Sequence, residues 1–110
     1  MMTYSELRKM IEDHNWDDGF GVPTRVLEYA NCDLALALEI FYLGDGYSYL
    51  ISNKSYDGRN EPWVLFIGDL YHRIKNGSFE RTSNSFKIPL NTAQIYKLRK
   101  LGVSEVFLEY

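Results

Sequence analysis

The run DLALALEIFYL, Asp33 to Leu43, sets one acid before ten residues of which only Glu39 is charged. At 3.6 residues per turn, its leucines, alanines, isoleucine and aromatics cover nearly the whole circumference of a helix. Such a helix is stable only when other elements enclose it. Asp33 offers its carboxylate as the N-cap, and Gly44 ends the run. The neighbouring sequence must therefore supply helices that surround a central one.

Upstream, Thr3 and Glu6 have the spacing of a capping box. Tyr4, Leu7, Met10 and Ile11 recur at helical intervals behind them, predicting a helix over 4–14. Pro23 is placed as a first-turn proline, with Val26, Leu27 and Ala30 as an apolar face before Asn31. Downstream of Gly44-Asp45-Gly46, the segment YSYLISN has mixed helix and strand signals, and we expect a short helix. NKSYDGRN, residues 53–60, reads as a loop. Asn60 and Pro62 then start an amphipathic helix with Trp63, Phe66, Ile67, Leu70 and Ile74 on one stripe. It ends at Asn76-Gly77, with Arg73 and Lys75 near its negative end.

From Ser78 to Leu90, Phe79, Phe86 and Ile88 bracket a Thr-Ser-Asn-Ser turn, which suits either a small β-hairpin near residues 78–88 or an extended excursion. Asn91 and Gln94 form a second capping-box pattern before Ile95, Leu98 and Leu101, and Gly102 closes that helix. Val106, Phe107 and Leu108 are expected to dock on the body. The fold class is thus mainly α, a compact bundle of five to six helices.

One such bundle accounts for all 110 residues, 45% of them hydrophobic and 25% charged. No apolar run reaches the length of a bilayer span, and no export signal opens the chain, so no membrane association and a cytoplasmic location are expected. The lone Cys32 permits no internal disulfide and no multi-cysteine zinc site. Residues 1–46 carry nine acids against three bases, whereas residues 47–110 carry six against nine. An acidic half of this kind steers a basic protein and repels nucleic acid.

HNWDDGFGVPTR, His14 to Arg25, holds the most suggestive chemistry. Asp13, Asn15 and Asp17 alternate as calcium ligands do, but the glycine and glutamate that such a loop needs are replaced by Asp18 and Thr24. Adjacent aspartates in a glycine turn tend to point apart, which argues against paired acid–base catalysis. The structural reading is that Gly19 turns the chain, Trp16 and Phe20 pack inward, and one aspartate bonds turn amides or the start of the Pro23 helix. The other aspartate then joins Glu12 and Asp13 in a negative patch.

His14 and His72 stand alone, and Lys97, Arg99 and Lys100 read as a solvated helix face. Cys32, at a helix start where the dipole lowers a thiol pKa, reads better as a small buried residue at a tight turn. No nucleophile elbow, P-loop or dinucleotide fingerprint occurs. Nine tyrosines, with Tyr42, Tyr47, Tyr49 and Tyr56 close in sequence, favour a binding surface. Candidate partner contacts are therefore Glu12, Asp13, Asp17, Asp18, Tyr47 and Tyr49. Trp16, Gly19, Pro23, Cys32 and Asp33 form the structural motif, and no catalytic residue, metal ligand or cofactor is expected.

Asn15-Trp16-Asp17-Asp18-Gly19-Phe20, Pro23, Asn31-Cys32-Asp33, Ala37-Leu38 and Ile40-Phe41 together resemble a family of small bacterial domains of unknown function. The similarity continues through the Trp63 helix and Gln94-Ile95-Tyr96-Lys97-Leu98. Where such proteins are encoded beside polymorphic or contact-dependent toxins, they look like immunity proteins. The resemblance thus implies a stoichiometric inhibitor of a basic nuclease toxin. An adaptor without a toxin partner is the alternative, and a small hydrolase using Asp17 and Asp18 is a weaker one.

Overall fold

The structure, a computed structural model, describes residues 2–52 and 61–110. The loop expected at 53–60, with Tyr56 and the Asn60 helix start, lies outside the described residues. Among those described, six α-helices follow one another: α1 (Tyr4–Glu12), α2 (Gly21–Leu27), α3 (Leu34–Leu43), α4 (Gly46–Ile51), α5 (Glu61–Lys75) and α6 (Thr92–Lys100). Short 3-10 turns cover Trp16–Asp18 and Glu105–Phe107.

α3 lies at the centre, as its apolar circumference requires. Leu36, Ala37, Leu38, Ile40 and Phe41 have no exposed surface, and α3 packs on α4 and α5 while α1 packs on α2. Each large apolar side chain so enclosed contributes roughly 1.5–3 kcal/mol relative to exposure. The N-cap is Asp33, whose Oδ1 accepts from the Leu36 amide at 2.9 Å. Glu39, the one charge in the run, receives Arg8 of α1 through two hydrogen bonds of 3.1 Å. This fork ties the first helix to the central one.

Both capping boxes are closed in both directions, Thr3 with Glu6 and Asn91 with Gln94. α1 stops at Glu12 rather than residue 14, with Asp13 as its C-cap. α2 begins two residues before Pro23 and ends at Leu27, so Ala30 lies beyond it and is exposed. Between α3 and α4 the chain reverses through Asp45 at φ 64°, and Gly46 then approaches Phe41 so closely that a Cβ would sit 2.3 Å from two ring carbons. Only glycine fits there.

The β-hairpin near residues 78–88 does not form; the alternative, an extended excursion, is what the segment adopts. Several of its polar groups are committed to the start of α3 instead of to a strand ladder, and the Asn84 amide donates locally to Thr82 Oγ1 at 3.1 Å. The Glu80 carbonyl accepts from the Leu34 amide at 2.8 Å, while Thr82 Oγ1 and Asn84 Nδ2 donate to Asp33 Oδ2 at 2.6 and 2.9 Å. Pro89 further removes a ladder donor. The tail docks as its apolar residues predict. Phe107 and Leu108 are buried, the Phe107 ring stacks on Tyr71 at 5.0 Å, and Tyr42 donates its hydroxyl proton to the Phe107 carbonyl.

Candidate functional site

The chain leaving α1 is turned by residues of the WDDG run, but not in the manner expected. Asn15, rather than an aspartate, caps the 3-10 turn by accepting from the Asp17 amide at 3.0 Å. Phe20, the N-cap residue of α2, provides no side-chain cap. Gly19 sits at φ 92°, a region open to glycine, and His14 Nε2–H donates to its carbonyl at 2.8 Å, closing the loop. Asp17 and Asp18 are therefore both exposed, and among the described residues neither carboxylate has a partner.

The four-carboxylate patch is accordingly uneven. Glu12 lies 3.4 Å from Arg8, and Asp13 lies 3.0 Å from Lys9, each one helical turn away. Those two charges are partly neutralised by their own helix. Asp17 and Asp18 carry the remaining field. Of the tyrosine candidates, Tyr47 is half-buried at the margin of the core. Tyr49 is only 5% exposed, its ring against Tyr71 and Trp63, so it belongs to the interior and not to a contact surface.

Asp33 and Cys32, adjacent in sequence, serve the fold. Burial alone would raise the Asp33 pKa, but hydrogen bonds from Thr82, the Leu36 amide, Asn84 and Tyr4 outweigh it and hold the carboxyl below its ordinary value. Burial, aided by that same carboxylate, pushes the Cys32 thiol up to about 12. The helix-start dipole does not make this thiol reactive. Pro23 is buried in α2 beside Val26 and Leu27.

What the WDDG run does build is an aromatic surface. Trp16 meets Phe20 and Phe66 edge-on at 6.4 and 6.5 Å, and Phe20 stacks on Phe66 at 4.9 Å. Trp16 also lies over Gly44, where an added Cβ would stand 3.3 Å from its ring. From the other side, Trp63 Nε1–H donates to the Gly44 carbonyl at 2.7 Å. The two tryptophans, distant in sequence, thus meet on one backbone unit.

Between them opens a cleft of about 500 Å³, walled by Trp16, Phe20, Leu43 and Trp63, with Asp45 and Ser48 as its polar groups. Ser48 Oγ donates to Asp45 Oδ1 at 2.8 Å. Phe20 is shared with a second groove of about 390 Å³ between α2 and α5. There Arg73 stands 4.0 Å from Glu28 and 3.9 Å from Asp69, and Leu65 is 64% exposed. Together the two hollows make an apolar, aromatic face edged mainly by carboxylates.

Sequence reasoning finds Trp16 and the aspartates but not Trp63, Gly44 and Asp45 as their partners. The Gly-Asp-Gly punctuation marks a turn, yet nothing local says which ring will rest on it. Among the described residues, no three His, Cys, Asp or Glu side chains converge as a metal site would, and no helix is long and apolar enough to cross a membrane.

No curated protein and no solved structure matches the chain. The match of a family to residues 3–75 takes in the WDDG turn, the central helix and both tryptophans, and stops before the Gln94–Leu98 segment. On that match the chain belongs to the family of the domain of unknown function DUF4274.

Proposed function

We propose that this protein is a stoichiometric binding protein that docks on a basic partner, in the manner of an immunity protein neutralising a nuclease toxin. The observation that supports binding is the face joined at Phe20: two hollows lined by aromatic rings, with exposed Leu43 and Leu65, and carboxylates at Asp17, Asp18, Asp45 and Asp69 around it. Apolar area of this kind supplies affinity when water is expelled, and aromatic anchors supply most of it. Rim carboxylates, of which Asp17 and Asp18 have no partner among the described residues, accelerate encounter with a cationic surface and discourage acidic partners. The toxin itself is suggested by the family resemblance described above.

The test is co-expression with whatever protein is encoded immediately upstream of the gene, followed by calorimetric titration of the separated pair. One-to-one binding that abolishes toxicity, weakens with salt and weakens further in an Asp17→Lys/Asp18→Lys variant is the expected result. Folded charge-reversed protein that binds with unchanged affinity and salt dependence would overturn the reading. Binding without any effect on toxicity would favour the adaptor alternative, which uses the same face.

A further inference from the structure

We infer that the cleft between Trp16 and Trp63 is a receptor for a single arginine side chain presented by the partner protein. Three features meet there. Its walls are the rings of Trp16, Phe20 and Trp63, whose π-faces attract a cation, indole most strongly. Its polar end is Asp45, one carboxylate oxygen of which is held by Ser48 while the other makes no bond among the described residues. Its floor is the Gly44 backbone, to which both indoles are fixed, one by contact and one by a hydrogen bond of 2.7 Å.

These features select guanidinium. A planar, weakly hydrated cation can stack on a ring and still direct N–H groups in its own plane at a carboxylate. The site is also set before the ligand arrives. The left-handed backbone at Asp45, φ 64°, aims this residue from the turn that precedes α4, and the indoles need not be ordered on binding. Occupancy by a basic group is favoured by the surrounding charge, since Asp17 and Asp18 follow Trp16 directly and no base lines the cleft among the described residues. That the arginine belongs to a partner protein rests on the binding reading; that the cleft accepts one does not.

Trp16 and Trp63 are the only tryptophans in the chain, so two indole N–H resonances report on this cleft alone. A short arginine-containing peptide, titrated into the labelled full-length protein, should move both signals saturably. The same peptide with citrulline, which keeps the shape and removes the charge, should not. Asp45→Asn tolerates the left-handed backbone and keeps an acceptor for Ser48, and it should weaken arginine-peptide binding about fivefold. Equal responses to arginine and citrulline, no response to either, or undiminished binding by the Asp45→Asn protein would overturn the assignment. Indole shifts that follow protein concentration without peptide would place a second copy of the chain in the cleft, and would also overturn it. Failure of the calorimetric titration with the partner refutes the binding reading, whereas failure of the peptide titration refutes the cleft, so the two are read separately.

Discussion

Replacing Asp33 by alanine removes the N-cap of the central helix and the anchor of the 82–84 segment in one step. Loss of a cap of this type costs about 1 kcal/mol. The bonds from Thr82 and Asn84 end on a charged acceptor, but both donors regain water in the variant, so about 1 kcal/mol each is a fair net figure. The sum, about 3 kcal/mol, corresponds to a melting temperature lower by roughly 12 °C at a loss of about 4 °C per kcal/mol for a chain of this size. Urea unfolding followed by circular dichroism measures it, with hydrogen exchange at residues 78–90 reporting the loosened segment.

The acid limb is a second, independent check. Because the folded Asp33 carboxyl lies below its unfolded value near 3.9, its contribution is fully present above about pH 4 and disappears as pH falls through the native pKa. Wild type and Asp33→Ala should therefore differ at neutral pH and converge in acid. A loss below about 1 kcal/mol at neutral pH, or a gap that persists unchanged in acid, would refute the role assigned to this carboxylate.

Gly46→Ala should cost about 2 kcal/mol in the same unfolding assay, because the new Cβ meets the fully buried Phe41 ring at 2.3 Å and that ring is itself confined by Tyr42 and Phe107. An unchanged urea midpoint would show that Phe41 has room to move. Cys32, buried and with its thiol pushed up to about 12, should react with a thiol reagent at pH 8 only as fast as the protein opens. Rapid labelling of the native protein, followed by absorbance, would contradict this. Tyr42→Phe deletes the hydroxyl that donates to the Phe107 carbonyl and should lower stability by about 1 kcal/mol, with faster exchange in the tail as the local signature.

Elements whose signals are local can be read from the amino-acid order alone. An acid and a glycine around an apolar run interrupted only by Glu39 set the range of α3, and the two capping boxes fix the starts of α1 and α6. What local pattern does not decide is competition for distant partners. Residues 78–90 carry hairpin-like side chains, but Asp33 lies close enough to take their donors, so strand pairing never forms. Asp17 and Asp18 are chemically suited to capping the turn, yet Asn15 precedes them at the capping position and leaves both acids free. The cleft is the least legible feature, since the meeting of Trp16 and Trp63 depends on how α5 crosses the end of α3. Tyr49 is interior rather than a surface contact for the same reason: the side of α4 that α5 covers is not written in α4.

The stacking of Phe107 on Tyr71 carries a consequence for how this family is handled at the bench. Family membership is recognised over residues 3–75, but Phe79, Leu98, Phe107 and Leu108, all later in the chain, belong to the buried core, and Phe107 packs on both Phe41 and Tyr71. A fragment cut at the recognised boundary would keep every residue of the aromatic cleft and lose the wall that keeps the interior dry. Such a fragment would be greasy and self-associating, and a pull-down performed with it would report the raw interior instead of the cleft. The stretch by which kinship is recognised is, in this protein, shorter than the stretch that closes the hydrophobic core.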